Sequence, residues 1–284
     1  MIRFAFTVIA LVALTLALLP FQLIGIAFDL RLQRTIPRLY HRLFCAMIGV
    51  CIREIGQRSR QTPVLILSNH VSWLDICVIT ALAPTVFIAK SEVARWPVFG
   101  WLARLQRTIF VERERRQKTG AATQEIAGRL LGGDAVVLFA EGTSSDGTRV
   151  LPFRSALIGA VHHALGDSTH GAVTVQPLSI AYVGFRGVPI GRALRERVAW
   201  YGDADLMPHF IGVLSAGAVD VTVTWGDAVA CDISADRKQI ARDAEKAVRR
   251  MTAAALRAPP QDQDRGRRSV APAFIPPQRL PDPA

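Results

Sequence analysis

The sequence predicts an α/β fold: a largely parallel sheet flanked by helices, carrying a membrane-embedded helix pair at its N-terminus. Three observations predict it. Short apolar runs alternate with helix-period segments between residues 61 and 258, the pattern of strands and covering helices in one layered domain. The first 28 residues contain an uncharged apolar run longer than a core helix needs. Residues 259–284 hold seven of the 16 prolines and no apolar periodicity, which marks a disordered tail. The resulting division is 1–52 for the anchoring helices, 61–258 for the main domain and 259–284 for the tail.

Taken in order, Phe4 to Phe28 lacks any charged residue. As a helix this run is roughly 37 Å long, against a hydrocarbon core of about 30 Å. A secretory signal is disfavoured, because the run is too long, Arg3 is its sole preceding base and no small-residue cleavage site follows. Pro20 interrupts it, so it either spans once or enters one leaflet as a broken helix. Arg31, Arg34, Arg38 and Arg42 follow, and this asymmetry places the main domain on the cytoplasmic side of the inner membrane. The next segment, IPRLYHRLFCAMIGVCI (36–52), reads as a second helix with Pro37 in its first turn. Both an interfacial helix and a core helix fit that pattern.

In the main domain, 64–69, 86–90, 108–113, 135–142, 173–182 and 219–229 read as strands. Residues 71–83, 94–106, 117–131, 154–165, 206–215 and 235–257 read as helices, the last with Ser234 as its N-cap. Ligands of such sheets collect at the carboxyl ends of the strands.

Composition limits the function. Half of the residues are hydrophobic and mean hydropathy is +0.27, which excludes a disordered chain. The net charge is +11, and all but four of the 34 basic residues are arginine. That bias suits phosphate, carboxylate or anionic-lipid contact; membrane lipids are the expected partner, and no nucleic acid is. Cys45, Cys51, Cys77 and Cys231 have no CxxC spacing and read as small core residues, not as metal ligands or disulfides. The sequence has no GxSxG elbow, P-loop, GxGxxG or HExxH pattern.

Two polar segments follow strands directly. In Asn69-His70-Val71-Ser72-Trp73-Leu74-Asp75 the histidine and aspartate are five apart, which pairs an imidazole with a carboxylate across one turn. The carboxylate fixes the tautomer, and the other ring nitrogen is left to take a proton from a substrate hydroxyl. His162 and Asp167 share the spacing, but His162 sits inside the helical run SALIGAVHHAL and reads as structural. In Phe139-Ala140-Glu141-Gly142-Thr143-Ser144-Ser145, Gly142 permits close backbone approach, and Glu141 and Thr143 are able to bond hydroxyls. An ordinary polar turn explains the same residues. At 110–113, Arg113 ends a strand with Arg115 and Arg116 behind it. Its guanidinium suits an anion, although a solvated charge run reads the same way.

In their order these segments resemble the 1-acylglycerol-3-phosphate acyltransferases, the PlsC-like lysophospholipid acyltransferases, over about residues 35–230. NHVSWLD resembles the first family block, which implies His70 as general base and Asp75 as its partner. Lys90 with the 97–100 turn and TIFVER resembles the second, whose Arg, here Arg113, binds the acceptor. FAEGTSS resembles the third, which implies acceptor contacts at Glu141, Gly142 and Thr143. VQPLSI resembles the fourth through Pro177. The chain departs from the pattern at Ala140 (family Pro), Ser144 (family Arg) and Arg107 (family Gly). The longer pattern LARLQRTIFVERERR, EGTSSDG and DADLMPHFIGVL is similar to the branch that acylates lyso-ornithine lipid.

The resemblance implies direct acyl transfer from an acyl carrier protein or coenzyme A thioester to the hydroxyl of a lysolipid acceptor, with no metal and no cofactor. A membrane-anchored hydrolase in which the His–Asp pair activates water, and a noncatalytic lipid-binding protein, are the competing classes. At Arg107, a further acceptor contact and a solvent-facing side chain are both open.

Overall fold

The computed structural model describes residues 2–111, 119–156, 158, 172–232 and 235–258. The reading of 154–165 as a helix falls mostly outside them, as do Arg113, the His162–Asp167 pair, Ser234 and the 259–284 tail. Two helices come first, α1 (Ile2–Ala27) and α2 (Leu32–Ile48), then strand β1 (Val50–Ile55). Strands β2 (Val64–Ser68), β3 (Val86–Lys90), β4 (Ile109–Val111) and β5 (Ala135–Phe139) alternate with helices α3 (Leu74–Leu82), α4 (Phe99–Leu105) and α5 (Thr119–Leu131). A 3-10 turn, Ser91–Arg95, precedes α4. Beyond residue 171 come β6 (Ala172–Phe185), β7 (Val188–Pro189), α6 (Arg192–Arg195), α7 (Leu206–Ala216), β8 (Val219–Trp225), β9 (Val229–Asp232) and α8 (Arg237–Arg257).

The strands form one sheet in the order β1-β8-β6-β2-β5-β3-β4, with β7 and β9 also paired to β6. All pairs from β6 through β4 are parallel, as is β1 with β8, whereas β6 meets β8, β7 and β9 antiparallel. The expected parallel sheet is thus parallel in its β6-to-β4 half and mixed around β6. Every residue of β2 and β5 is buried, because helices cover both faces, and this is why both strands are continuous apolar runs. One face packs on α2, α3 and α7 through Phe44, Leu74, Val78 and Leu214. The other packs on α5 and α8 through Ile126, Leu130, Ala244 and Val248.

The second helix corrects the sequence reading. It ends at Ile48, and residues 50–55 form an edge strand in the sheet, so the expected helix over 36–52 and the boundary at 52 do not match the elements. Gly49 is the cause: at φ +82° it bonds the carbonyls of Cys45 and Ala46 and stops the helix, as a left-handed C-cap does. Cys51 is accordingly exposed on that edge strand, while Cys45 and Cys77 are buried as expected. Pro37 lies inside α2, not in its first turn. The carbonyl of Gln33, deprived of its usual donor by Pro37, lies 3.4 Å from the side-chain amide nitrogen of Gln22. The final helix is capped by Asp236, whose carboxylate accepts the Lys238 N–H at 2.8 Å.

Helix α1 contacts the body along its length. The Arg3 guanidinium reaches Ile48 O, Thr15 Oγ1 reaches Tyr40 Oη, and Gln22 Nε2 reaches Leu105 O at 2.6 Å. Thr7, Leu11 and Gln22 are buried on that stripe, whereas Phe6, Ile9, Val12, Leu16, Phe21, Leu23 and Ile24 are exposed. The segment Arg3–Ala27 is long and apolar enough to cross a membrane.

Candidate active site

Because β2, β5, β3 and β4 are parallel neighbours, their carboxyl ends open on one edge of the sheet. The loop after β2 carries Asn69 and His70, the loop after β5 carries Ala140 to Ser145, and Lys90 ends β3. Asn69 locks the first loop. Its side chain donates to Ile180 O and accepts from Ile180 N, both at 2.9 Å, which continues the β2–β6 pairing with a side chain where the backbone turns away.

His70 Nδ1 lies 2.8 Å from Asp75 Oδ2. The same oxygen accepts the backbone N–H groups of Val71 at 2.7 Å and Ser72 at 3.0 Å, and Oδ1 accepts the Tyr182 hydroxyl at 2.7 Å. Asp75 is fully buried at the first turn of α3. Ringed by donors, its carboxylate acts as acceptor toward the imidazole, so Nδ1 carries the proton and Nε2 has the free lone pair. The His70 side chain keeps 18% of its surface open and stacks on Phe139, centroids 3.9 Å apart, with Phe139 in turn on Phe87. Burial, with the Asp75 charge second, pushes the Tyr182 hydroxyl well above its ordinary value, so Tyr182 stays a donor. The sequence reading missed Tyr182. Its signal is a tyrosine at the end of the run LSIAY in a buried strand, since a buried hydroxyl requires a partner.

Glu141 lies beside this pair in a role different from the expected acceptor contact. It is 1% exposed. One carboxylate oxygen accepts the His70 backbone N–H at 2.9 Å and the other the Leu151 N–H at 2.7 Å, so Glu141 clamps the two loops together. Burial raises its pKa to about 8, against the lowering effect of those two backbone bonds. Ser145, also missed, adds a second tie through its N–H and hydroxyl to His70 O, at 2.9 and 3.2 Å. Gly142 has φ +73°, a backbone that glycine adopts without strain. Thr143 is exposed on the same loop and Lys90 is exposed at the end of β3.

Pro177 lies within the sheet, paired with Leu67 of β2, and not on the loops at the carboxyl edge. It is buried in β6 between the stretch paired with β9 and the stretch paired with β8. Its missing N–H therefore falls in a gap between ladders, and its carbonyl accepts the Gly226 N–H at 2.8 Å. Arg107 is also structural. Its guanidinium grips Asp134 through two bonds of 3.1 and 2.8 Å, and its φ is +63°, where a glycine fits without strain.

One further ring borders the loop. The Trp73 indole N–H donates to His209 Nδ1 at 3.0 Å, and the Trp73 ring packs on Phe210 at 5.2 Å and Phe44 at 6.4 Å. Burial lowers the His209 pKa, consistent with the neutral ring that this acceptor role needs.

Residues 49–181 match the family described as Acyltransferase. The chain is 49% identical over 255 residues to a lyso-ornithine lipid O-acyltransferase of Brucella abortus, covering 90% of this chain and 96% of that one. It is 44% identical over 256 residues to a protein of the same name from Rhizobium meliloti, covering 90% and 88%. Its fold is similar to the crystal structure of the 1-acyl-sn-glycerophosphate acyltransferase PlsC of Thermotoga maritima, with TM-score 0.56 and 20% identity over 90% of this chain and 100% of that chain.

Proposed function

The chain belongs to the acyltransferase family and is a lysolipid O-acyltransferase, and from that premise we propose that His70 is its general base and Asp75 the group that orients it. The observation that carries this reading is the 2.8 Å contact from His70 Nδ1 to a buried carboxylate, which leaves Nε2 on a partly open ring. His70 Nε2 takes the proton of the acceptor hydroxyl as its oxygen attacks the thioester carbonyl. Collapse of the tetrahedral intermediate breaks the carbon–sulfur bond, and the imidazolium returns its proton to the leaving thiolate. The donor is the thioester of an acyl carrier protein or of coenzyme A. No acyl-enzyme is required, because the lysolipid hydroxyl is itself the nucleophile.

The proposed acceptor is lyso-ornithine lipid. The two relatives carry that name over nearly the whole chain, and Ser144 stands where the resemblance expects a phosphate-binding arginine. Arg107 is committed to Asp134 and supplies no acceptor contact. Lys90 and Thr143, exposed on the catalytic edge, remain available for the headgroup; Arg113, the expected headgroup partner, follows β4 but lies outside the described residues.

The enzyme is proposed to sit on the cytoplasmic face of the inner membrane with α1 in the plane of one leaflet. Contacts of α1 with Ile48, Tyr40 and Leu105 run from its first turn to its last third. A helix held along its side in this way is unable to cross the bilayer without drawing the polar neighbours Arg38, His41 and Gln106 into hydrocarbon. The functional test is the purified chain with a labelled acyl donor and a panel of lysolipids, products resolved by chromatography. Diacylated ornithine lipid is the expected product. Free fatty acid released at an equal rate without any acceptor would support the hydrolase instead.

A further inference from the structure

We propose that the turn preceding α4 and the outer face of α7 form a second membrane-inserting element, continuous with α1, through which the protein contacts the lipid surface. The proposal rests on the membrane reading of α1 and extends it to residues outside the anchor.

Three elements meet pairwise. Helix α1 touches α4 through Gln22 and Leu105 O, α4 touches α7 through the Phe99 and Phe210 rings at 5.4 Å, and α1 packs directly on α7. Each leaves large apolar side chains uncovered: Phe21, Ile24 and Phe28 on α1 and its following turn, Val98 and Trp101 at α4, and Met207 and Ile211 on α7. Large apolar side chains left exposed on adjoining elements mark a binding surface.

The α4 turn is also strained toward exposure. Val98 has φ +62°, a conformation that a β-branched residue adopts only under strain, yet its side chain is 66% exposed. The turn is tightly built, since a Cβ on Gly100 would lie 2.5 Å from Ala94 O. Among the described residues, the strain that holds this valine in the open has no packing return. Arg95 and Arg104 flank the turn and are exposed. An interfacial tryptophan beside arginines is the arrangement suited to anionic headgroups over acyl chains.

The patch adjoins the chemistry. Phe210, on α7, packs on Trp73 in the loop between His70 and Asp75. Lipid contact here brings the acceptor's leaflet to the catalytic loop.

The test uses the full chain reconstituted with vesicles of phosphatidylcholine and phosphatidylglycerol, with brominated phosphatidylcholine as the quencher of tryptophan fluorescence. The expected result is bromine quenching of the wild type whose amplitude falls in Trp101→Phe. A Val98→Asp/Met207→Asp double variant is expected to co-float with vesicles severalfold less than wild type at an unchanged melting temperature. Binding of the wild type with equal quenching in Trp101→Phe overturns the proposal while leaving the α1 anchor intact. Failure of the wild type to bind vesicles overturns both. If Trp101 is instead perturbed by acyl carrier protein, or by self-association without vesicles, the surface belongs to those partners and the proposal fails. None of these readouts requires turnover, so they are independent of the acyl-transfer reading.

Discussion

Two edges of one sheet carry the same device, a buried carboxylate facing a cationic or protonatable partner, and only one of them leaves a ring nitrogen open. At the carboxyl edge Asp75 holds one nitrogen of His70 and leaves the other free. At the amino edge Asp134 is held by both arms of Arg107 and, at 2.7 Å, by Arg34 Nε from α2. There three guanidinium nitrogens, one from α2 and two from the turn before β4, converge on one carboxylate. A cavity of about 380 Å³ does open at that edge, lined by Arg34, Arg107 and Arg129 together with Asp29, Glu125 and Asp134. Its charges balance, so it offers an anionic headgroup no net attraction. What separates the proposed reacting pair from the structural one is the partner's unspent valence: Nε2 of His70 is left open.

The contrast is tested most strongly at His70. His70→Ala is expected to lower the transfer rate by about 10²–10⁴-fold, the usual contribution of a general base. Asp75→Asn leaves a small residual rate, because the amide accepts from fewer of the four donors. Rates measured on protein of unchanged circular dichroism check both. At the other edge, Asp134→Asn is expected to remove about 3 kcal/mol of stability, as breaking a buried ion pair does, while the rate per folded molecule stays near wild type. Denaturant titration beside the transfer assay separates the two effects. An inactive but stable Asp134→Asn variant would break the comparison.

Glu141 gives a pH-dependent intermediate case. Its folded pKa of about 8 lies above the ordinary 4.5. The unfolded chain therefore releases this proton at lower pH than the folded one, so its contribution to stability is fully present below about pH 4.5 and is lost as pH rises through 8. Melting temperatures across that window should fall in wild type, and Glu141→Gln should flatten the component that Glu141 contributes. A fall of the same size in Glu141→Gln would show that the carboxyl is not its source. The smallest effect is expected from Ser144→Arg, which should shift the preference toward lysophosphatidate by about 1–2 kcal/mol in a mixed-acceptor assay.

These differences also show where sequence is legible. The β–α alternation is legible because β2 and β5 are apolar throughout and their loops are polar. The His70–Asp75 pair is legible because it is local, five residues within one turn. β1 is hidden because Val50 and Ile52 extend the apolar pattern of α2, and the turn depends on the left-handed Gly49 alone. Tyr182 is hidden because it is 107 residues from Asp75. The partners of Arg107 and Glu141 are illegible for one shared reason. A charged residue near a strand end has the same spacing whether it meets a substrate or a backbone, and only the fold shows which partner it has.

The central claim is that His70 removes the proton from a lysolipid hydroxyl. Its most direct test is the His70→Gln enzyme, assayed with lyso-ornithine lipid and an acyl thioester donor on the same preparation used for a thermal melt. The account predicts a wild-type melting temperature with diacylated product formed at least about 100-fold more slowly than by the wild type. A folded His70→Gln enzyme that forms the product at the wild-type rate would contradict it.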